Sequence, residues 1–204
     1  MFNMKKLYTF IILLINTLAF SQENDIYCAI FENPKNFEYL NFYNQDTKKN
    51  MDKFRVMDSI FLIRGKEFKY DEQTHFSDKL GDSIISADSY PGALCYGTHI
   101  KKMSLLFTET ERDSLYFRAL KAEKNTVNIV SPKVEMISTI PENNWYFLVS
   151  NIIYTTDNKT AFVTVYTRNN SEMWGDRFYG ISFFIMTLKH GKWKQTHADE
   201  QGNL

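Results

Sequence analysis

The sequence predicts an α+β fold, in which a curved antiparallel β-sheet carries a helix at about residues 109–123 on one face. Three observations lead to this class. Aromatic residues, which favour strands, make up 16% of the 204 residues. Apolar segments joined by short turns predict a C-terminal meander of about four strands across residues 145–198, to which N-terminal strands are added. A helix-capping sequence begins at Thr108, directly before the predicted helix.

Residues 1–21 have the three parts of a secretory signal peptide. Two lysines precede an apolar segment at residues 7–18, and Ala19 and Ser21 then place small residues at a cleavage position. The apolar segment is shorter than the roughly 20 residues that span a bilayer, although an uncleaved N-terminal anchor is the alternative. We therefore expect cleavage near Ser21/Gln22 and a periplasmic or extracellular protein, with no transmembrane segment in the mature chain.

The predicted mature chain, residues 22–204, is close to neutral and contains no repeat or linker, so we expect one domain. The leader holds two of the 24 basic residues and none of the 24 acidic ones, which leaves 22 Lys and Arg against 24 Asp and Glu. This balance argues against nucleic acid as a partner and against adhesion to anionic lipid. Because the first mature residue is Gln22 and not a cysteine, no lipid anchor is expected.

Both cysteines, Cys28 and Cys95, lie in the predicted mature chain. An even number of cysteines in an oxidising compartment favours a disulfide between them. The alternative is a pair of buried free thiols, since cysteine also packs as a small apolar side chain.

The N-terminal half contains weaker signals. Residues Ile26–Phe31 predict a short strand, and the Asn33–Pro34 pair predicts the start of a short helix. Residues Phe54–Arg64 predict a longer strand, and Ala93–Ile100 predict another short one.

The helix in the middle of the chain has a clear start. Thr108 and Glu111 have the spacing of a capping box, in which each side chain bonds a backbone N–H that the first turn leaves unpaired. A helical apolar stripe follows, made by Leu115, Tyr116, Ala119, Leu120 and Ala122.

Residues Trp145–Thr156 and Thr160–Arg168 predict the first hairpin. A two-residue turn would place Ile153 opposite Phe162, Tyr154 opposite Ala161 and, further along, Ser150 opposite Val165. Both faces of this hairpin carry apolar groups, so each face must be covered. We expect the helix on one face, and the N-terminal half or the sheet's own curvature on the other.

The second hairpin turns at His190–Gly191, where a type I′ turn would pair Met186 with Gln195 and Phe184 with His197. The outgoing strand is apolar in consecutive positions and is expected to be central. The return strand is more polar and is expected to be an edge, which its lysines protect from further pairing.

Four aromatic residues could line a groove where the two hairpins meet: Trp145, Tyr166, Trp174 and Tyr179. Trp174 lies in a loop, and Trp is the residue type most enriched among interface anchors. The alternative is that these rings close the ends of the core.

Other candidates for chemistry are weak. His197, Asp199 and Glu200 form the one His/carboxylate cluster, and a metal site there would need further ligands from His75 or His99. The Gly81–Ser83 block matches the nucleophile motif of SGNH-type esterases, but the residues before it are polar and do not form the buried strand that the motif needs. Cys95 and His99 lie in a turn-rich segment, and no third group is present to orient the histidine as a base. We predict no catalytic residue, no metal and no cofactor.

Residues 145–198 resemble the C-terminal sheet of small exported proteins of the flavobacterial type. The resemblance is carried by Ser150, Asp157, the alternation Ala161-x-Val163-x-Val165, Trp174–Gly175 and Lys189-x-Gly191-x-Trp193–Lys194. The ending Gly191-Lys192-Trp193-Lys194-x-x-His197 is similar to the last strand of NTF2-like folds, which implies a curved sheet around a pocket.

These features predict an exported, non-catalytic binding module with an unknown protein or small-molecule partner. The alternative is an NTF2-like pocket that binds or hydrolyses a small ligand, with His197 and Asp199 near its mouth.

Overall fold

The described part of the chain is built around a mixed seven-stranded sheet with a helix on each face. The computed structural model describes residues 22–33, 35–37, 40, 53–63, 68, 106–123, 126–172 and 175–202. Among the described residues, two longer helices are α1, described over residues 22–31, and α2 (Glu109–Lys121). Its strands are β1 (Phe54–Met57), β2 (Val134–Ile137), β3 (Asn144–Val149), β4 (Ile153–Tyr154), β5 (Thr160–Ser171), β6 (Gly175–Lys189) and β7 (Lys192–Gly202). Hydrogen-bonded neighbours follow the order β2-β1-β3-β5-β6-β7, and β4 pairs with β5.

The sheet is mixed, which corrects the prediction of a purely antiparallel one. Strands β3, β5, β6 and β7 form the predicted antiparallel meander. Strand β1, however, runs parallel to both of its neighbours, with Phe54 opposite Val134 and Val56 opposite Phe147. Parallel neighbours need a crossover of a dozen or more residues, and the chain between β1 and β2 contains α2. The length of this connection therefore permits the parallel pairing.

Helix α1 covers one face of the sheet and replaces the short strand predicted at its position. Its buried side chains are Ile26, Tyr27, Ile30 and Phe31. Branched and aromatic residues favour a strand when composition alone is considered, but the spacing of these four places them on one side of a helix. They share a core with Val56, Phe147, Val163, Val165, Phe184 and Met186 of the strands.

Helix α2 lies where it was predicted, ends two residues earlier, and covers the opposite face. Thr108 Oγ1 accepts a hydrogen bond from Glu111 N at 3.3 Å, as an N-cap residue does. Leu115 and Ala119 are the buried residues of the helix, whereas Leu120, expected in the same stripe, is 60% exposed. The second core also contains Ile63, Phe68, Ile153, Phe162, Phe183 and Ile185. Both faces of the sheet are thus covered, as their apolar character predicts.

Polar contacts fasten α2 to the β4–β5 connection. Glu111, predicted to complete the capping box, accepts a hydrogen bond at Oε1 from Thr156 N at 2.8 Å. Arg118 Nη1 donates to the carbonyl oxygens of Tyr154 and Thr155, both at 2.9 Å. The helix is therefore held by backbone groups of the turn as well as by its apolar side.

The first hairpin keeps the predicted register only near its turn. Ile153 faces Phe162 as predicted, but Val149 faces Val165 in place of Ser150. Three residues, 150–152, thus stand opposite two in β5, which is a β-bulge. The predicted pairing is wrong beyond this point because one extra residue shifts the whole strand.

The second hairpin has the predicted type I′ turn, since both central residues have positive φ, +51° at His190 and +74° at Gly191. The predicted pair Met186–Gln195 is confirmed. A second bulge follows, so that His197 faces Ile185 and not Phe184. Strand β7 ends the sheet, as predicted for an edge strand.

Candidate interaction site at the tip of the β5–β6 hairpin

Residues 172–174 connect β5 to β6, because the last pair of this hairpin is Ser171 with Gly175. Gly175 has a φ of +67°, a conformation that a residue with a Cβ atom adopts only with strain. The tip is therefore short, and glycine supplies the backbone angle that closes it.

Reciprocal hydrogen bonds tie the tip to the turn that precedes β3. Glu172 N donates to Asn143 Oδ1 at 2.6 Å, and Asn143 Nδ2 donates to Glu172 Oε1 at 2.8 Å. Asn170 Nδ2 donates to Pro141 O at 3.1 Å. Asn143 has a φ of +51°, which asparagine tolerates better than most residues. Both ends of this contact are thus held in a defined conformation.

On the other side of the tip, Asp176 links three strands. Arg168 donates to it twice, from Nε to Oδ1 at 3.1 Å and from Nη2 to Oδ2 at 2.9 Å. Such bidentate, charge-assisted pairs are both strong and directional. Tyr146 OH donates to Asp176 Oδ1 at 2.7 Å. Burial and this hydrogen bond raise the pKa of Tyr146, so the phenol stays protonated and remains the donor.

The aromatic residues predicted to line one groove are placed differently. Trp145 is buried in the α1-side core. Tyr166 lies on the opposite face, where its ring stacks on Phe61 with centroids 3.9 Å apart and planes 6° apart. These two rings cannot line one groove. Trp174 and the side chain of Tyr179 lie outside the described residues. In the pairing of β5 with β6, residue 179 is the extra residue, because Thr167 pairs with Gly180 and Arg168 with Phe178.

His197 and Asp199 occupy alternate positions of β7, opposite Ile185 and Phe183. Paired residues share a face of the sheet, so both positions belong to the face that α2 covers. His197 is half-buried, and the side chain of Asp199 lies outside the described residues. The pocket hypothesis rests on this pair and stays a prediction.

Cys28 is a free thiol in the structure, and its Sγ lies 3.4 Å from Val130 O. Burial is the main cause that raises the pKa of this thiol, and the nearby Glu32 raises it further, which makes the thiol a poor nucleophile. Its predicted disulfide partner, Cys95, lies outside the described residues.

Other predicted features are only partly covered. The Gly81–Ser83 block and the Cys95/His99 pair lie outside the described ranges. Within those ranges, no group of three or more His, Cys, Asp or Glu side chains could hold a metal ion.

The contacts that hold the tip do not follow from local sequence patterns. Asn143 and Glu172 are 29 residues apart, as are Asn170 and Pro141. An Asn in the Pro141–Asn144 turn is a local signal for positive φ, but its partner follows only from the pairing of β3 with β5. Arg168 and Asp176 are eight residues apart on either side of Trp174–Gly175, and this short separation of opposite charges is a signal that could have identified them.

None of the helices in the described ranges is long and apolar enough to cross a membrane. No protein-family model, no curated protein and no solved structure matches this chain.

Proposed function

We propose that this protein is an exported, non-catalytic interaction module that binds its partner through the tip of the β5–β6 hairpin, with Trp174 as the anchor. The observation that supports this proposal is the pair of cross-links on either side of the tip, Asn143 with Glu172 and Arg168 with Asp176. A loop held in place before binding loses little conformational entropy when the complex forms. Loops on rigid scaffolds are accordingly frequent binding elements.

The surface near the tip suits a partner with an apolar pocket. Ile140, which precedes the turn fastened to the tip, is 47% exposed. Ile140 offers an apolar contact near the tip, and the exposed Glu142 and Glu172 offer polar ones; an apolar centre with a polar rim is the usual anatomy of a binding patch. Export follows from the leader at residues 1–21, so the partner is sought in the periplasm or outside the cell.

Trp174→Ala tests the anchor. The native host expresses the full chain or the variant, intact cells are cross-linked, and the captured partner is purified and titrated by calorimetry. Truncation of a central tryptophan should cost about 2 kcal/mol or more, roughly thirty-fold in Kd. Phe117→Ala is the matched control, because Phe117 is also aromatic and 53% exposed but lies on α2. Equal affinity of both variants for the partner contradicts the proposal.

Asn143→Gly tests whether the hydrogen bonds between Asn143 and Glu172 contribute to binding. Glycine keeps the positive φ and removes both hydrogen bonds to Glu172, so the affinity should fall several-fold while Trp174 is still present. An unchanged affinity would show that the fastening of the tip contributes nothing.

A further inference from the structure

We propose that the end of the β6–β7 hairpin binds an acidic polysaccharide, whose carboxylates it holds with Lys189, Lys192 and Lys194. Together these three residues form the lysine patch. The patch lies at the opposite end of β6 from the tip of the β5–β6 hairpin, roughly 45 Å along the strand. The two binding proposals therefore share only the export of the protein.

All three lysines belong to one face of the hairpin. Lys189 is directly opposite Lys192, and Lys194 is opposite Thr187. Paired residues share a face of the sheet, and successive side chains of a strand alternate between the faces. Thr187 and Lys189 therefore lie on the same face as Ile185, which belongs to the core that α2 covers. The three lysines are exposed, so this end of the face is open to solvent.

The lysine patch concentrates positive charge in a chain that is nearly neutral as a whole. Within the described part of the chain, none of its three side chains forms an ion pair. The next acidic position on this face of β7 is Asp199, which is opposite Phe183 and two residue pairs beyond Lys194. Ammonium groups that the protein does not neutralise leave a positive potential, and this potential attracts an anion from solution.

The pairing of Lys189 with Lys192 is unfavourable for the fold itself. Directly opposite residues of an antiparallel pair have Cβ atoms about 5 Å apart, and like charges at such positions are destabilising. Lysines on an edge strand discourage pairing with another sheet, which accounts for Lys192 and Lys194. Lys189, however, is on the interior strand β6. Residue choices that cost stability without a structural benefit are expected at functional sites, so we attribute this pair to ligand binding.

The chemistry of the patch favours carboxylates on a sugar polymer. The patch contains lysines and no arginine, whereas arginine is the usual choice where phosphate is bound by paired hydrogen bonds. The anionic lipid surface that attracts basic segments is that of the cytoplasmic leaflet, which an exported protein does not face. Thr187 and Thr196 place two hydroxyl groups on this part of the hairpin, with their Oγ1 atoms 3.1 Å apart. Hydroxyl groups both donate and accept hydrogen bonds, as the hydroxyl groups of a sugar require.

Binding to polygalacturonate, which carries one carboxylate on each sugar, tests the proposal. The full chain is exported with its own leader, and the affinity of the processed protein is measured by calorimetry at low ionic strength. We expect binding to polygalacturonate and none to its fully methyl-esterified form, which has the same backbone without the charge. Absence of binding, or equal binding to both forms, overturns the proposal. Tighter binding to polyglutamate or to single-stranded DNA also overturns it, in favour of an acidic protein or a nucleic acid.

Glutamine at all three positions of the lysine patch should weaken binding to polygalacturonate about tenfold, because each exposed charge pair contributes roughly a factor of two. The matched control has the same net charge and carries glutamine at three exposed lysines elsewhere in the fold: Lys35, Lys53 and Lys133. Equal losses of affinity in the two variants would mean that net charge and not the patch binds the polymer, which overturns the proposal. Trp174→Ala should leave this affinity unchanged, so a failure of the tip and a failure of the patch are distinguishable.

Lys192→Glu separates binding from stability. The substitution turns the like-charge pair with Lys189 into an opposite-charge pair, so we expect a higher thermal midpoint than that of the wild type. The affinity for polygalacturonate should nevertheless fall about fourfold or more, because one attraction is lost and a repulsion is added. An unchanged affinity, or a lower thermal midpoint, contradicts the assignment of this pair to ligand binding.

Discussion

Two buried hydroxyl groups in the first hairpin have opposite roles at the scale of single residues. Ser150 Oγ accepts a hydrogen bond from Thr164 N at 2.9 Å and donates to Asn151 O at 2.8 Å. It thereby replaces a strand carbonyl that the bulge displaces. Thr164 Oγ1, by contrast, is buried without a hydrogen-bond partner. The carbonyl of Ser150 also accepts from Tyr27 OH at 2.8 Å, which joins α1 to the bulge.

Ser150→Ala should destabilise the protein by about 2–3 kcal/mol, because it leaves the buried Thr164 N–H and Asn151 carbonyl without this partner. Thr164→Val is the matched control, since it removes a hydroxyl that has no partner and nearly preserves the volume. It should be neutral or stabilising by up to about 1 kcal/mol. Urea unfolding of both variants measures the difference, and the reverse order of stability would contradict this account of the bulge.

At the scale of elements, the β4–β5 turn is organised by one carboxylate. Asp157 Oδ1 accepts hydrogen bonds from Thr155 Oγ1 at 2.7 Å and from Lys159 N at 3.0 Å. These two bonds are the main causes that lower the pKa of Asp157. The same turn receives Glu111 from α2, so its shape also affects how the helix docks.

The lowered pKa predicts an acid-dependent loss of stability. The pKa of the Asp157 carboxyl group is lower in the folded protein than in the unfolded chain, where it is near 3.8. Above pH 3.8 the ionised group therefore stabilises the fold fully. This contribution is lost as the pH falls through the pKa of the folded protein. Asp157→Asn keeps an acceptor oxygen but does not titrate. The stability advantage of the wild type over this variant, measured by urea midpoints between about pH 6 and pH 2, should therefore shrink below about pH 4. The effect is small because Asp157 is exposed and screened by solvent. Parallel curves over the whole range would exclude it.

At the scale of the whole molecule, a sheet between two helices makes two cores that share the same strands. Consecutive residues of β6 contribute to opposite cores, as Phe183 and Phe184 do. Neither helix can be lost without exposing an apolar face of this sheet. We therefore expect the two cores to unfold together.

Ile30→Ala and Leu115→Ala each remove a fully buried side chain, one from α1 and one from α2. Each should cost about 2–5 kcal/mol. Because the two sites lie on opposite faces of the sheet, their effects should add to within about 0.5 kcal/mol in the double variant. Calorimetry should show one transition in each single variant. Two separate transitions would mean that the cores are independent.

The sequence supported some parts of the fold and the candidate site better than others. Helix α2 and the His190–Gly191 turn were predictable because capping and turn preferences act within a few residues. A loop at Trp174 was predictable for the same reason, but the strands on either side reach further than predicted, to Ser171 and from Gly175. The composition of residues Ile26–Phe31 favours a strand, whereas the spacing of their apolar side chains favours the helix that the structure contains. The Asn143–Glu172 contact was not predictable, since it depends on which strands become neighbours.

Helix α2, the His190–Gly191 turn, the interior position of β6 and the need for cover on both faces of the sheet follow from short-range preferences or from apolar patterning, and the sequence alone specifies them. The parallel pairing of β1, the two bulges and the separation of Trp145 from Tyr166 depend on long-range packing. The physical reason is that side chains alternate between the faces of a strand, so one inserted residue reverses every later assignment. Whether such a residue is inserted depends on partners far away in the chain, as Ser150 and Thr164 show.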